Sequence, residues 1–293
     1  MKKFKKMLVL VLALVMAVSI VGCTQKAEEP AEAPAETEAA SSEPDAPAEL
    51  TGTVTISGST SVEKVGVALA EEFMALNSGV EVTYQGIGSS GGVKNAKDGT
   101  TIIGTASRNL KTEEKEWGLT EIELAYDGIA VIAHPDNGVE GLTMDQVKAI
   151  YIGEITNWSQ VGGADAEIVV VSREDGSGTR GAFEEIVDFE DALKEGALIA
   201  EGNGNVQTTV AGNPLAIGYV SFTYINETVK PLLVDGVAPT VENVVSKEYG
   251  VSRPFMMVWM EENMTEASQA FVDFAMSPEG QDIVEEKGAI KAK

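Results

Sequence analysis

Three short stretches of this chain set glycine beside serine and threonine at the end of an apolar run: "GSTS" at 58–61, "GIGSSGG" at 86–92 and "EDGSGTR" at 174–180. A helical pattern follows each of them. A helix start presents unpaired backbone N–H groups and a partial positive charge. Glycine lets the backbone approach a ligand closely, and hydroxyls add further donors. Such corners can hold an anion without any net positive charge. Arg173 and Arg180 stand on either side of the third corner, within a chain of 293 residues whose formal net charge is −25.

Each corner also has a plainer reading. Thr60 to Glu63 fits the capping box T-x-x-E, and Ser177 fits an ordinary N-cap. "GIGSSG" (86–91) fits a dinucleotide fingerprint, but "TASRN" stands where the acidic residue belongs at the end of the next strand. "GSSGG" (88–92) fits the G-x-S-x-G elbow of hydrolases. Ser90 would then be the nucleophile, His134 (the only histidine) the base, and Asp127 its orienter. Against this, His134 sits just before Pro135 at a strand end, the place of a surface or crossover residue. The repetition of one chemistry at three strand ends favours anion binding without catalysis. One histidine and one cysteine without clustered spacing imply no metal and no other cofactor. Met256, Met257 and Met260 read as core packing.

The elements that must position these corners alternate along the chain. Strands are expected at 53–57, 80–85, 101–107, 122–135 (one strand or two), 167–172, 216–222, 229–236 and 254–260. Helices are expected at 61–77, 143–153 and 179–189, and again toward the C-terminus. In the first helix Val62, Val65, Leu69, Phe73 and Leu76 share one face. This alternation implies an α/β fold with mainly parallel sheets and flanking helices. In open sheets of that kind ligands sit at the carboxyl ends of strands.

The N-terminus carries a different message. Four lysines precede an apolar run from Met7 to Val18, the pattern of a secretory signal. The run is short for a membrane span of about 20 residues. It closes on "SIVGC", which resembles a bacterial lipobox and marks Cys23, the only cysteine, as a lipidation site. From Thr24 to Gly52 eight acidic residues face the single Lys26 among Ala, Pro and Ser, a composition that cannot bury a core and reads as an extended tether. The acidity argues against a nucleic-acid partner. The expected organisation is a signal over 1–22 and a lipidated, disordered linker over 23–52. A first lobe follows from 53–128 plus 250–293, with a second over 129–249. The chain is expected outside the cytoplasm, lipid-anchored to the cell membrane and monomeric.

"YQGIGSSGGVK" (84–94), "EDGSGTR" (174–180), "IGYV" (217–220) and the helix at 147–163 resemble the PstS-type phosphate-binding proteins of bacterial ABC importers, in the same order along residues 53–293. The resemblance implies a periplasmic-binding-protein-like fold of class II type: two sheets with a two-strand crossover, closing on inorganic phosphate for delivery to a membrane permease. It places the ligand contacts at Thr60, Ser61, Ser89, Arg173, Ser177, Gly178 and Thr179, and pairs Asp175 with Arg173. Many members carry an aspartate that accepts the ligand's proton where this chain has Arg108. Two readings stand open there: Arg108 is a bidentate donor to the ligand, or it is turned from the cleft. Other oxyanions such as sulfate, molybdate or tungstate suit the same corner chemistry.

Local donors can outweigh the global charge, which water and salt screen beyond about 8–10 Å. Hydrogen bonds to a charged group contribute roughly 1.5–3 kcal/mol each. About ten of them exceed an association cost of roughly 4–15 kcal/mol.

Overall fold

The computed structural model describes residues 49–292. The expected signal, Cys23 and nearly all of the expected tether lie outside the described residues. Strands and helices alternate in the order β1 (Thr51–Gly58), α1 (Glu63–Leu76), β2 (Gly79–Gly86), α2 (Ser89–Lys97), β3 (Ile103–Ala106), α3 (Thr112–Lys115) and β4 (Thr120–Ala133). There follow β5 (Gly141–Leu142), α4 (Met144–Ile152), β6 (Val169–Arg173), α5 (Gly178–Val187), β7 (Leu198–Ala200), α6 (Gly202–Ala211) and β8 (Ala216–Ser221). The chain closes with β9 (Lys230–Pro231), β10 (Leu233–Val234), α7 (Val241–Val245), β11 (Ser252–Trp259), α8 (Glu266–Met276), α9 (Pro278–Glu286) and β12 (Ile290–Lys291).

The main hydrogen-bonded path runs β2-β1-β3-β11-β4-β8-β6-β7. At one end β1 lies parallel between β2 and β3. At the other, β6 lies parallel between β7 and β8. Antiparallel β11 and β4 join the two ends: residues 120–128 of β4 pair with β11, and 129–133 pair with β8. The two expected sheets are thus continuous through β4, a single strand of 14 residues. Its buried stretch Ile129–Ala133 is apolar throughout, as a strand covered on both faces must be.

The two larger apolar cores lie on either side of the crossing strands. One gathers Val54, Ile56, Leu69, Phe73, Phe255 and Phe271. The other gathers Ile132, Tyr151, Val171, Phe183, Val206 and Tyr219. Phe73 meets Phe271 edge-on at 5.5 Å, and Phe183 stacks on Tyr219 at 4.1 Å. Each such buried side chain contributes roughly 1.5–3 kcal/mol. Helix α4 ends as its sequence demands, on Gly153 at φ 86°.

Some expectations differ in detail. Leu76 is exposed rather than part of the α1 core face, because it is the last helical residue and Asn77 turns the chain into β2. The strand expected over 229–236 is two short strands, because β9 pairs with β4 and, once the Leu232 N–H has bonded the Val131 carbonyl, β10 leaves it to pair with β5. The β7–α6 unit has no counterpart among the sequence expectations. Its strand is three residues long with Leu198 and Ile199 exposed, and glycines 202 and 204 blur the helical period.

Candidate functional site

The first three corners sit at the carboxyl ends of β1, β2 and β6, where helices α1, α2 and α5 begin. The structure adds a fourth, β7 running into α6 through "EGNGN". All four helix starts meet. Ser61 Oγ and Thr179 Oγ1 lie 2.8 Å apart. Asn203 Nδ2 donates to Ser61 Oγ at 2.9 Å and to Thr60 Oγ1 at 3.2 Å. Ser90 N–H donates to the Gly176 carbonyl at 3.1 Å. These bonds tie the β1–β2 side to the β6–β7 side, so the cleft is closed.

Local packing fixes each corner. Gly58 has φ 148°, and a Cβ there would lie 2.1 Å from the Thr105 carbonyl oxygen, so only glycine fits. Tyr84 Oη donates to the Ser59 carbonyl at 2.8 Å. Tyr219, buried in the aromatic core, bonds Ser172 Oγ at 2.9 Å and accepts the Arg173 N–H at 3.3 Å, which holds the end of β6. Ser177 caps α5 by accepting the Arg180 N–H at 3.2 Å. Thr60 does not cap α1: the N-cap is Val62, without a side-chain bond, and the Thr60 hydroxyl accepts from Arg173 and Asn203 instead. The T-x-x-E spacing is therefore not a capping box here.

Two arginines dominate the electrostatics. Arg173, 1% exposed, donates through Nε and Nη2 to both oxygens of Glu174 (2.8 and 2.7 Å) and through Nη2 to Thr60 Oγ1 at 3.2 Å. Arg253, 3% exposed, donates through Nε and Nη2 to Asp127 Oδ2 (3.3 and 2.9 Å) and through Nη2 to Ser61 Oγ at 2.9 Å. In both side chains Nη1 is buried and has no hydrogen-bond partner among the described residues. An unmet buried donor costs about 1–3 kcal/mol, and more when charged. Two such groups in one cleft therefore mark where an anion gains most. Burial resists the charge of Glu174, but Arg173 and the Gly202 N–H outweigh it and hold the carboxyl below its ordinary range. Burial pushes the Asp127 carboxyl up to about 6, against the pull of Arg253, Ser221 and the Phe222 N–H.

The structure brings Thr60, Ser61, Ser89, Arg173, Ser177, Gly178 and Thr179 to this junction. A Cβ on Gly178 would lie 2.2 Å from Ser89 Oγ, which places the second and third corners in contact. Arg108 stands buried at the rim of the cleft with its guanidinium already committed. Its Nη1 donates to Glu114 Oε2 and the Asn109 carbonyl, and its Nη2 to Glu114 Oε1 and Ser90 Oγ, so all four terminal N–H groups are engaged. It is corrected from ligand contact to structural ion pair. Burial resists the Glu114 charge, yet Arg108 and the Lys111 N–H hold its carboxyl below the ordinary range. The pairing of Asp175 with Arg173 is likewise corrected. Glu174 takes Arg173, while Asp175 is exposed and bonds Arg180 at 2.7 Å.

No relay joins Ser90, His134 and Asp127. Ser90 Oγ accepts from Arg108, His134 Nδ1 accepts the Asp136 N–H, and Asp127 is held by Arg253, Ser221 and Phe222. Arg253, Asn203 and Asp127 are the site residues that sequence reasoning missed in these roles. "EGNGN" after "ALIA" sets glycine beside asparagine, not beside serine or threonine, and so was only a partial signal for Asn203. Arg253 follows no glycine corner, so only its β-register opposite Asp127 reveals it. Two cavities open beside the junction. One of about 500 Å³ is lined by Thr60, Gly88, Glu174 and Gly202, and one of about 290 Å³ by Ser90, Arg108 and Ser177.

Two lobes joined by crossing strands, with helix starts and buried guanidiniums meeting between them, define a solute-binding protein of the two-lobed periplasmic type. A family model described as a PBP superfamily domain matches residues 37–279. The chain is 32% identical over 245 residues to the phosphate-binding protein PstS of Bacillus subtilis, covering 82% of this chain and 80% of that protein. It is 31% identical over 251 residues to PstS of Borreliella burgdorferi, covering 82% and 90%. Among solved structures, a phosphate ABC transporter substrate-binding protein from Clostridium perfringens with bound phosphate aligns at a TM-score of 0.82 with 54% identity, covering 83% of this chain and 100% of that one. A phosphate transport receptor from Vibrio cholerae aligns at 0.70 with 34% identity, covering 82% and 100%. The chain belongs to the PstS family within the PBP superfamily.

Proposed function

We propose that this chain captures inorganic phosphate between its lobes and delivers it to a membrane ABC permease, without catalysing a reaction. The observation that carries this is the meeting of four helix starts around Arg173, whose buried Nη1 has no partner among the described residues. The family to which the chain belongs, and the phosphate bound in the Clostridium perfringens relative, support phosphate as the ligand. The proposed contacts are Thr60, Ser61, Ser89, Arg173, Ser177, Gly178 and Thr179. The proposed lobes are 53–128 plus 250–293 and 129–249, a division supported by the two apolar cores. We place the protein outside the cytoplasm as a monomer, held to the membrane by lipid on Cys23 and standing off it on the acidic tether. The lysine-led apolar leader and "SIVGC" support that placement. No helix among the described residues is long and apolar enough to cross a membrane.

Calorimetry with phosphate, sulfate and molybdate tests the reading. Phosphate is expected to bind at micromolar affinity or better, which corresponds to about 8 kcal/mol or more. Sulfate bound as tightly as phosphate would refute the assigned specificity, and no binding of any of the three would refute the function.

A further inference from the structure

Arg173 and Arg253 are presented in the same way from opposite sides of the cleft. Arg173 ends β6, and Arg253 lies on β11, with β4 and β8 between the two strands. In each, a carboxylate holds the Nε–Nη2 edge: Glu174 for one and Asp127 for the other. In each, Nη2 also reaches a hydroxyl of the same two-residue turn, Thr60 for Arg173 and Ser61 for Arg253. In each, Nη1 is left without a partner among the described residues. A buried ion pair needs only one edge of a guanidinium. The Nη1 end is the part that Asp127 does not use.

Resting on the phosphate-binding reading above, we propose that Arg253 is a second guanidinium contact to the bound anion, so that one ligand bridges β6 and the β11–β4 crossover. Ser61 supports this assignment. Its Oγ accepts from both Asn203 and Arg253, which fills its lone pairs and directs its own proton toward Thr179 Oγ1, 2.8 Å away. Thr179 is then free to donate to the ligand. Arg253 therefore acts on the anion twice, directly through Nη1 and indirectly through the Ser61–Thr179 pair. The charged and titratable groups around Arg253 are Asp127, Arg173 and Tyr219. Within each of the Arg173–Glu174 and Arg253–Asp127 pairs the two charges cancel. The anion is thus met by directed N–H and O–H groups, not by excess positive charge, which suits a strongly acidic chain.

The test is phosphate calorimetry with a thermal melt on the full chain carrying Arg253→Lys, Arg253→Gln, or Arg253→Gln with Asp127→Asn. The last replaces the ion pair by an amide pair of similar shape, so it removes the guanidinium without stranding a buried carboxylate. The expected result is that the paired variant melts within a few degrees of the unaltered protein but binds phosphate at least 30-fold more weakly. Arg253→Lys keeps the ion pair, so it should fold and still lose at least tenfold. A folded paired variant with affinity within threefold of the unaltered protein overturns the proposal, leaving Arg253 as a partner for Asp127 alone. If the paired variant fails to fold, the lysine variant decides: full affinity overturns the proposal, and a tenfold loss upholds it. If the unaltered protein does not bind phosphate, the function itself has failed and this proposal falls with it.

Discussion

Gly178→Ala should separate folding from closure. Gly178 is the first residue of α5 and does not adopt positive φ, so alanine suits the backbone there and the helix gains by it. The obstacle lies across the cleft. The added Cβ would sit 2.2 Å from Ser89 Oγ, 2.9 Å from Ser89 Cβ and 2.8 Å from Ser107 Oγ. That is roughly an ångström inside van der Waals contact. Ser89 cannot simply turn away, because it is buried and its Oγ accepts the Ser107 N–H at 3.1 Å. Forcing a methyl group into such packing costs about 1–3 kcal/mol. Opening the lobes to relieve that strain instead gives up the Ser90–Gly176 and Ser61–Thr179 bonds, at about 0.5–1.5 kcal/mol each. Either route costs about 1–3 kcal/mol, which corresponds to a loss of phosphate affinity between about fivefold and about 150-fold. Calorimetry gives the affinity, and small-angle scattering with saturating phosphate reports whether the lobes close. The variant should still unfold cooperatively, at a modestly lower temperature, and remain more extended. Unchanged affinity in a fully closed variant would refute the reasoning.

Further outcomes follow from the same geometry. Asp175→Asn should leave phosphate affinity within threefold, while Glu174→Gln should lower it about tenfold by loosening a charge-assisted pair; calorimetry showing the reverse order would restore Asp175 as the partner of Arg173. Glu114→Gln breaks a buried ion pair and should cost about 3–5 kcal/mol in a denaturant melt, with little change in ligand affinity. Since the folded Glu114 carboxyl lies below its ordinary 4.5, its stabilisation is present above about pH 4.5 and is lost as pH falls through the lower folded value. Asp127 runs the other way: with a folded value of about 6 against 3.8, its contribution is complete below about pH 3.8 and is lost as pH rises through about 6. That difference is about 3 kcal/mol, and a carbon-13 titration of the Asp127 carboxyl should show a midpoint near 6; one near 4 would contradict the burial argument.

The sequence announced the corners better than their partners. Val54, Ile56, Val65, Leu69 and Phe73 follow strand and helix periods, so β1 and α1 were legible from pattern alone. Glycine followed by hydroxyl residues marked three of the four helix starts, since a tight strand-to-helix turn restricts residue choice. Side-chain partnership carries no such local trace. Arg108 and Arg173 each stand beside several acids in sequence, and only the backbone path decides that Glu114 and Glu174 receive them. Arg253 and Asp127 are 126 residues apart, and the antiparallel register of β11 on β4 alone makes them neighbours. The β7–α6 unit was hidden because a short, exposed strand lacks an apolar period.

A crystal structure grown with phosphate tests the central claim most directly. The account predicts one tetrahedral anion enclosed between the lobes, with oxygens about 2.7–3.2 Å from Arg173 Nη1 and from donors at the starts of α2 and α5. Phosphate bound only on the outer surface, or a closed cleft that holds no anion at saturating phosphate, would contradict it.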